Sequence, residues 1–389
     1  MRRVAVIVTM LLIFSACNSN AEPTTTTSST STTTTTTTIP TTTTTLLSVG
    51  GEGVDPELTE LVRALYALPA GVGQVAAPAS VIEGFGAAID PIGPSVATGY
   101  VGIMGEARVA VIEAGEDITL AVADPDWRIV GGWWPSHQVT AELGGFPKTV
   151  AVVGSDARPN EDRERTRADS IHFVVLGGDG SAAVVGLPRD SWVPISGAGS
   201  TKVNAALAMG GPEMMMDTFT ELTGAEFDGY LLTGFAGFQS MIEVLGGLEI
   251  DVPRALNDRS AKASIEAGLQ MLSASDALAF TRVRKALPDG DFGRQANGGL
   301  ALIAGAAMVK ALGPVAVPAL IEQTWDMYST DMDPENLLTL AVAITQVDPA
   351  QANNVVAAGS PGQAGAASVV FLQDSAFDTF EDMLDGHLE

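Results

Sequence analysis

The hydrophobic pattern changes period along the chain, and its first part predicts one helix followed by strands. After the helix-start signal Asp55-Pro56, the apolar residues at helical spacing are Leu58, Leu61, Val62 and Leu65. Short β-type runs separated by Gly or Asp-Pro-Asp turns follow at 99–104, 108–112, 118–122 and 127–130. The pattern predicts a small α+β domain over residues 54–146, and its role stays open.

From residue 147 the pattern alternates between strands and helices. Apolar strand candidates lie at 149–154, 171–176 and 182–187. Helices follow: one has an apolar face over 235–245, and another begins with a capping box formed by Ser273 and Asp276. Residues 147–313 are therefore predicted to form an α/β layered domain. Residues 314–389 contain a helix at 335–344, strand candidates at 355–357 and 369–372, and a terminal amphipathic helix, and are predicted to complete or cap that core.

The N-terminus indicates export. Arg2 and Arg3 precede an apolar run at 4–14, and the run ends in small residues before Cys17, the single cysteine of the chain. Residues 1–17 resemble a bacterial lipoprotein signal, which implies a lipid anchor on Cys17 and a position on the outer face of the cell membrane. An ordinary secretory signal is the alternative. Because residues 23–46 are almost entirely Thr, we predict a disordered tether over 18–53.

Charge is distributed unevenly. The net charge of −26 argues against a nucleic-acid partner, which requires basic surface. Of the 20 Lys and Arg residues, however, 15 lie between Lys148 and Lys310. We therefore expect any anionic ligand to bind in this segment. A single cysteine excludes an intramolecular disulfide and a zinc site built from four cysteines.

Two carboxylates flank the first strands of the α/β segment. Asp156 follows a strand that ends at Gly154, and Asp169 directly precedes the next strand. If those strands are neighbours, the two carboxylates could hold Mg²⁺, which prefers one or two acidic ligands together with water and phosphate oxygens. Two solvated loop acids are the alternative interpretation.

Arginines recur at the ends of predicted elements. Arg189-Asp190 follows a strand, Lys202 and Asn204 precede a helix, and Asp291 and Arg294 open a long apolar helix. Arg282 and Arg284 alternate, so in extended backbone both would face the same way. Guanidinium groups bind phosphate oxygens bidentately, so their convergence would hold a pyrophosphate. Scattered surface salt bridges are the alternative.

Together these motifs resemble the LytR-CpsA-Psr family of bacterial envelope proteins, over residues 150–313 and more loosely to the end. The motifs that carry the resemblance are Gly154-Ser155-Asp156, Arg167-x-Asp169, Pro188-Arg189-Asp190, Lys202-x-Asn204-x-Ala206, Gly210-Gly211, Leu245-Gly246-Gly247, Ala277-Leu278-Ala279, Arg282-x-Arg284 and Asp291-x-Gly293-Arg294. Each motif is weak alone, but nine in register are specific.

The resemblance implies a three-layer α/β/α sandwich with a mixed central sheet and an apolar cleft for a polyprenyl chain. It implies a Mg²⁺-dependent transfer of a glycopolymer from polyprenyl pyrophosphate to peptidoglycan, forming a phosphodiester. Asp156 and Asp169 would bind the metal. The implied pyrophosphate ligands are Arg167, Arg189, Arg282, Arg284, Arg294, Lys202 and Asn204, and the implied catalytic residues are Asp291, Arg189 and Asp190.

The chain departs from the family pattern at Asn297 and Gly298, where an Arg-Gln pair is usual. Two alternatives therefore stay open: hydrolysis of polyprenyl pyrophosphate, and a non-catalytic module that binds lipid-linked precursors. Two groups could serve ligands or simply pack in the core. Trp127, Trp133 and Trp134 could stack on sugar, and the methionines at 209 and 214–216 could line a prenyl channel.

Overall fold

The computed structural model describes residues 47–71, 74–88, 93–158 and 160–388, and residues 45–389 belong to one compact unit. Cys17, the signal segment and most of the predicted tether lie outside the described residues. The tether was predicted to extend to residue 53, and this C-terminal limit is wrong. Ser48–Glu52 is instead a strand at the edge of a sheet, where it pairs in parallel with Val96–Met104.

The N-terminal region is a six-stranded sheet in the order β1 to β6, covered by two helices. The strands are β1 (Ser48–Glu52), β2 (Val96–Met104), β3 (Ala107–Ala114), β4 (Asp117–Ala123), β5 (Trp127–Trp134) and β6 (Val139–Glu142). The helices are α1 (Pro56–Ala67) and α2 (Ala79–Ala87). Helix α1 begins where the sequence predicted, since the Asp55 side chain accepts a hydrogen bond from Leu58 N at 2.8 Å.

A second six-stranded sheet, the central sheet, has the order β17-β12-β7-β8-β9-β18. Its strands are β7 (Lys148–Ser155), β8 (Ala168–Leu176), β9 (Ala182–Gly186), β12 (Gly229–Thr233), β17 (Tyr328–Ser329) and β18 (Ala352–Val356). Neighbouring pairs are antiparallel except β12 with β7 and β9 with β18, which are parallel. The mixed sheet predicted for this region is confirmed.

Helices cover both faces of the central sheet and make three layers. One face, with Val153 and Phe173, packs against α3 (Ala205–Thr223) and α9 (Asp374–Asp382). The other face, with Val150 and Leu176, packs against α6 (Asp291–Leu312), α7 (Val317–Thr324) and α8 (Pro334–Ile344). Odd and even positions of each strand therefore serve different layers.

Smaller elements surround one edge of the central sheet. They are the hairpins β10 (Trp192–Ile195) with β11 (Ala198–Lys202), β13 (Leu248–Val252) with β16 (Gly268–Leu272), β14 (Leu256–Asp258) with β15 (Ala263–Ile265), and β19 (Gly359–Ala364) with β20 (Ala367–Leu372), and the helices α4 (Phe235–Val244) and α5 (Ala274–Arg282).

The C-terminal segment joins the two sheets. Strand β18 extends the central sheet, while α7 and α8 share one hydrophobic cluster with residues of both sheets, such as Val111 and Val150. Across the described part of the chain, no single helix is long and apolar enough to cross a bilayer; α6 and the helical segment up to Met327 pass only as a pair bent by 101°.

Packing explains the tryptophans and the methionines. Trp134 is fully buried and Trp127 is 7% exposed, so these rings belong to the core. Met215 is buried against the face of the central sheet that carries Phe173, whereas the main apolar cavity, described below, lies on the opposite face. None of the methionines at 209 and 214–216 is among the described residues that line this cavity.

Candidate functional site

Four strand ends meet at one edge of the central sheet. Gly154 of β7 pairs with Ser170 of β8 and with Thr233 of β12, so the ends of β7 and β12 lie beside the start of β8. Leu187 N, just after β9, donates to Ile171 O at 2.9 Å. The loops that follow these strands therefore bring their side chains to a common place.

A β-bulge delivers Asp169 to this edge. Ser155 pairs with Ala168 and Gly154 with Ser170, which leaves Asp169 without a residue opposite it. The backbone then closes around Asp156, whose N–H donates to Arg167 O at 3.0 Å while its Oδ1 accepts from Arg167 N at 3.1 Å. The condition on which the two-carboxylate site depended, that the two strands are neighbours, is met.

Arg189 and Asp169 form an ion pair of 2.6 Å between Nη1 and Oδ1. Burial opposes the charge of Arg189, but the attraction of Asp169 and its hydrogen bond outweigh burial and raise the pKa of the guanidinium. The Nε of Arg189 is buried without a hydrogen-bond partner. A donor left in this state is available to an anionic ligand.

Helix α6 begins at the same edge and places a second ion pair there. Arg294 Nη2 lies 2.8 Å from Asp291 Oδ1, and the two side chains are 9% and 10% exposed. Burial lowers the pKa of Arg294, and Asp291 offsets part of this effect. Arg284 Nε lies 4.0 Å from the same Asp291 oxygen. Asp291 thus stands between two cations and orients them.

The expectation of extended backbone at Arg282 and Arg284 is wrong. The capping box starts α5 as predicted, with Ser273 Oγ accepting from Asp276 N at 3.2 Å, and the helix continues through Arg282. The guanidinium of Arg282 lies 4.5 Å above the Phe235 ring. Arg282 and Arg284 nevertheless line one cavity together with Asp169 and Arg189.

Asp258 is a positioning residue that the sequence interpretation missed. Asp258 as a whole is 4% exposed, and its carboxylate accepts hydrogen bonds from Arg284 N at 3.2 Å and Lys285 N at 3.0 Å. Hydrogen bonds from Ser260 and from these two amides lower the pKa of Asp258 strongly. It therefore fixes the backbone that carries Arg284. An acidic residue in a short hairpin, with Ser two residues later, is a common pattern and does not predict such a role.

Three adjacent cavities, which share wall residues, define the site. The first, the apolar cavity, has about 370 Å³ and lies between the central sheet and helices α4, α6, α7 and α8. The second, the inner chamber, has about 470 Å³ and shares Val152, Phe238 and Leu302 with the apolar cavity. The third, the outer chamber, has about 480 Å³ and meets the inner chamber at Asp169, Arg189 and Arg284.

The chambers gather nearly all of the predicted site residues. Arg282 and Arg294 line the inner chamber, and Asp156, Arg167, Asp190, Lys202 and Asn204 line the outer one. Lys202 Nζ pairs with Asp190 Oδ1 at 2.8 Å. Asp291 is not among the described residues that line either chamber. Its carboxylate contacts Arg284 and Arg294, and its catalytic role stays a prediction.

The two departures from the family pattern have separate structural explanations. Asn297 Nδ2 donates to Phe280 O at 3.2 Å, which joins α6 to α5. At Gly298, an added Cβ would lie 2.5 Å from Cε1 of His172, so the imidazole occupies the space of a side chain at this position. His172 and Ser170 both line the inner chamber.

Polar side chains tie the start of α6 to the central sheet. His172 Nε2 donates to Gln295 O at 2.9 Å, Gln295 Nε2 donates to Leu187 O at 2.7 Å, and Asn354 Nδ2 donates to Ala296 O at 2.8 Å. Burial lowers the pKa of His172 to about 4, and the nearby Arg294 acts in the same direction. The imidazole is therefore neutral at pH 7 and holds the helix as a hydrogen-bond donor.

The sequence pattern of the LytR_cpsA_psr family matches residues 134–384. The chain belongs to the LytR-CpsA-Psr family. Among curated relatives, "Probable cell wall biosynthesis protein LcpB" of Corynebacterium glutamicum is 33% identical over 162 residues, which are 39% of this chain and 38% of the relative.

A second relative is "Polyisoprenyl-teichoic acid--peptidoglycan teichoic acid transferase TagU" of Bacillus cereus, 34% identical over 151 residues, 38% of this chain and 48% of the relative. The chain therefore spans less than half of the length of either of these relatives. Among solved structures, TagV of B. subtilis superposes with a TM-score of 0.54 at 22% identity, covering 62% of this chain and 98% of TagV. TagT bound to LI-WTA gives a TM-score of 0.52 at 20% identity, covering 63% and 92%. These structures show the fold.

Proposed function

We propose that the chain is a phosphotransferase that attaches a polyprenyl-pyrophosphate-linked glycopolymer to peptidoglycan through a phosphodiester. The observation that carries this proposal is the order of the three cavities. An apolar cavity lies next to a chamber lined by arginines, and that chamber lies next to a polar one; each neighbouring pair shares wall residues. A lipid pyrophosphate has the same order of chemistry, from apolar tail through anionic centre to polar glycan.

The donor's tail and anionic group match separate parts of the site. Rings and aliphatic side chains such as Phe238 and Leu302 surround the space for a branched hydrocarbon. Arg189, Arg284 and Arg294 surround the space for the phosphates, and two of them carry buried Nε atoms without a hydrogen-bond partner. The name of the relative TagU, a polyisoprenyl-teichoic acid transferase, supports the same substrate class.

Two acidic residues are the candidate ligands of a magnesium ion. Asp156 and Asp169 lie at one sheet edge, and the second carboxylate oxygen of Asp156 has no partner among the described residues. Within the same described part of the chain no group of three or more potential metal ligands occurs, so phosphate and water oxygens would have to complete the shell of Mg²⁺. When bound there, Mg²⁺ would neutralise phosphate charge as the leaving group departs.

In the proposed reaction, an acceptor hydroxyl oxygen bonds to the glycan-side phosphorus. The bond from that phosphorus to the lipid phosphate breaks, and the electron pair leaves with polyprenyl phosphate. The hydroxyl proton passes to a carboxylate, for which Asp190 in the outer chamber, held by Lys202, is the candidate. Arginines stabilise the charge that develops on the phosphate oxygens. An anchor on Cys17 would keep the chain at the membrane surface where such donors reside.

The decisive experiment incubates the full chain with a synthetic polyprenyl-pyrophosphate-linked disaccharide, with Mg²⁺ or EDTA and with or without peptidoglycan. We expect Mg²⁺-dependent release of polyprenyl phosphate, accelerated by peptidoglycan, with phosphate retained on the acceptor. Arg189→Ala should abolish this, and Arg254→Ala, an exposed arginine outside the chambers, is the matched control. Release that ignores peptidoglycan would instead establish a pyrophosphatase, and binding without release a non-catalytic precursor-binding module.

A further inference from the structure

The position of the outer chamber relative to the other two cavities matters for phosphoryl transfer. The apolar cavity, the inner chamber and the outer chamber follow one another in a row. No described residue lines both the apolar cavity and the outer chamber. If the lipid occupies the apolar cavity, the bond that breaks points toward that cavity from the Asp169–Arg189 pair.

Displacement at phosphorus places the attacking and leaving oxygens roughly in line. The attacking hydroxyl must then come from the side opposite the lipid phosphate, which is the outer chamber. We propose that the outer chamber binds the acceptor sugar. Asn204, which the family resemblance implied as a pyrophosphate ligand, would instead form hydrogen bonds with the hydroxyl and amide groups of that sugar, together with Ser368. This inference rests on the proposed function, because it assumes that the donor's lipid lies in the apolar cavity.

Asn204 has an unused amide at the chamber wall. The residue is 5% exposed, and its backbone is fixed on both sides: its N–H donates to Arg189 O at 3.3 Å, and its carbonyl accepts from Ala168 N at 3.2 Å. Among the described residues its side-chain amide makes no hydrogen bond, although it precedes helix α3 in the N-cap position. An amide held this way can donate and accept at once, as recognition of a sugar requires.

The β19–β20 hairpin supplies another part of the chamber wall. Val370 N donates to Asp190 O at 2.9 Å, and Ser191 bridges Val370 in parallel, so the hairpin is joined to the loop that carries Asp190. Ser368 lies two residues before that contact and lines the outer chamber. The Asn204 amide and the Ser368 hydroxyl, both binding an attacking sugar, would restrict which of its hydroxyls reaches the phosphorus.

Direct binding tests this assignment without requiring turnover. We would measure the Kd of an uncrosslinked disaccharide peptidoglycan fragment for the full chain by calorimetry, in Mg²⁺ buffer, and separately the Kd of the lipid-linked donor in detergent. We expect Asn204→Ala to weaken fragment binding about tenfold and Ser368→Ala about threefold, with a change of less than about twofold in the donor Kd. Asn257→Ala, on the exposed side of β14, is the matched control.

Several outcomes decide the proposal. Because the Asn204 side chain makes no capping hydrogen bond, its removal leaves the start of α3 intact, and thermal unfolding should be unchanged. A larger change in the donor Kd than in the fragment Kd would assign the outer chamber to the donor glycan and overturn the inference. Unchanged or absent fragment binding would also overturn it. Failure of the proposed function is separate, since it would appear as missing polyprenyl phosphate release even where the fragment binds.

Discussion

The two six-stranded sheets differ in whether their buried polar groups have hydrogen-bond partners. In the N-terminal sheet, fully buried Asp117 accepts hydrogen bonds from Tyr66 OH and Ser136 N, both at 3.0 Å, and from Ser136 Oγ. At the edge of the central sheet, Ser155 Oγ, Arg189 Nε and Arg294 Nε are buried without a hydrogen-bond partner. Across the described residues, every such unpartnered side-chain atom lies at Ser155 or later.

This difference separates polar groups that stabilise the fold from those that await a ligand. A buried donor without a partner costs about 1–3 kcal/mol, which a protein retains only where something else compensates. The N-terminal region thus contributes stability, and the central edge contributes binding. Substitutions in the two regions should separate activity from stability.

The largest effect is expected from Asp169→Asn at the central edge. It removes the charge that holds Arg189 and a candidate metal ligand, so turnover should fall about a thousandfold. The free energy of unfolding should change by less than about 1 kcal/mol, because this ion pair is partly exposed to solvent. Initial rates and thermal unfolding measure both, with exposed Asp251→Asn of β13 as the control. A wild-type rate would refute the assignment of the site.

The opposite pattern is expected from Asp117→Ala in the N-terminal sheet. Tyr66 OH and Ser136 N would lose their buried acceptor, which should lower the free energy of unfolding by about 4 kcal/mol. Turnover per folded molecule should stay unchanged. Urea denaturation and active-site titration give the two quantities, and exposed Asp126→Ala in the β4–β5 turn serves as the control. A loss of turnover in folded protein would show that the two regions are coupled.

A smaller effect concerns pH and His172. Its folded pKa is about 4 and its ordinary value 6.5, so between these values the unfolded chain binds the proton more readily. Stability should therefore decrease as pH falls from 6.5 to 4, by up to about 3 kcal/mol from this residue. His172→Gln should remove that part of the pH dependence. His137, whose burial also lowers its pKa, stays in both proteins, so the comparison isolates His172. Equal pH dependence in both would exclude this role.

Periodicity and caps predicted part of the secondary structure. Helix α1 starts at its Asp-Pro signal, α5 at its capping box, and strands β2 to β5 and β7 to β9 lie close to their apolar runs. The short or glycine-rich sheet strands β1, β6, β12 and β17 were not predicted, because their sequences carry no clear alternation. The failure at Arg282 and Arg284 came from local competition. Two alternating arginines suit a strand, but the capping box had already begun a helix that includes the first of them.

The meeting of Asp156 with Asp169 could not be derived from spacing. It requires that β7 and β8 be neighbours and that a bulge turn Asp169 outward, and neither follows from the local pattern. His172, Asn354 and Asp258 were missed because each is a single polar residue within an apolar or turn-rich stretch. The one available signal was indirect: a histidine inside an apolar strand, and consecutive glycines inside a helix, both suggest close packing.

The close packing of His172 against Gly298 restricts which substitutions position 298 can accept. Placing the glutamine that is usual in the family at residue 298 would put its Cβ 2.5 Å from the imidazole, and a Cβ at Gly299 would lie 2.0 Å from Asn354 Oδ1. His172 must therefore shift or be replaced by a smaller residue if position 298 is to carry a side chain. Natural divergence and laboratory evolution face the same constraint, so a change at position 298 is coupled to a change at His172, whereas Asn297 makes a separate contact with Phe280.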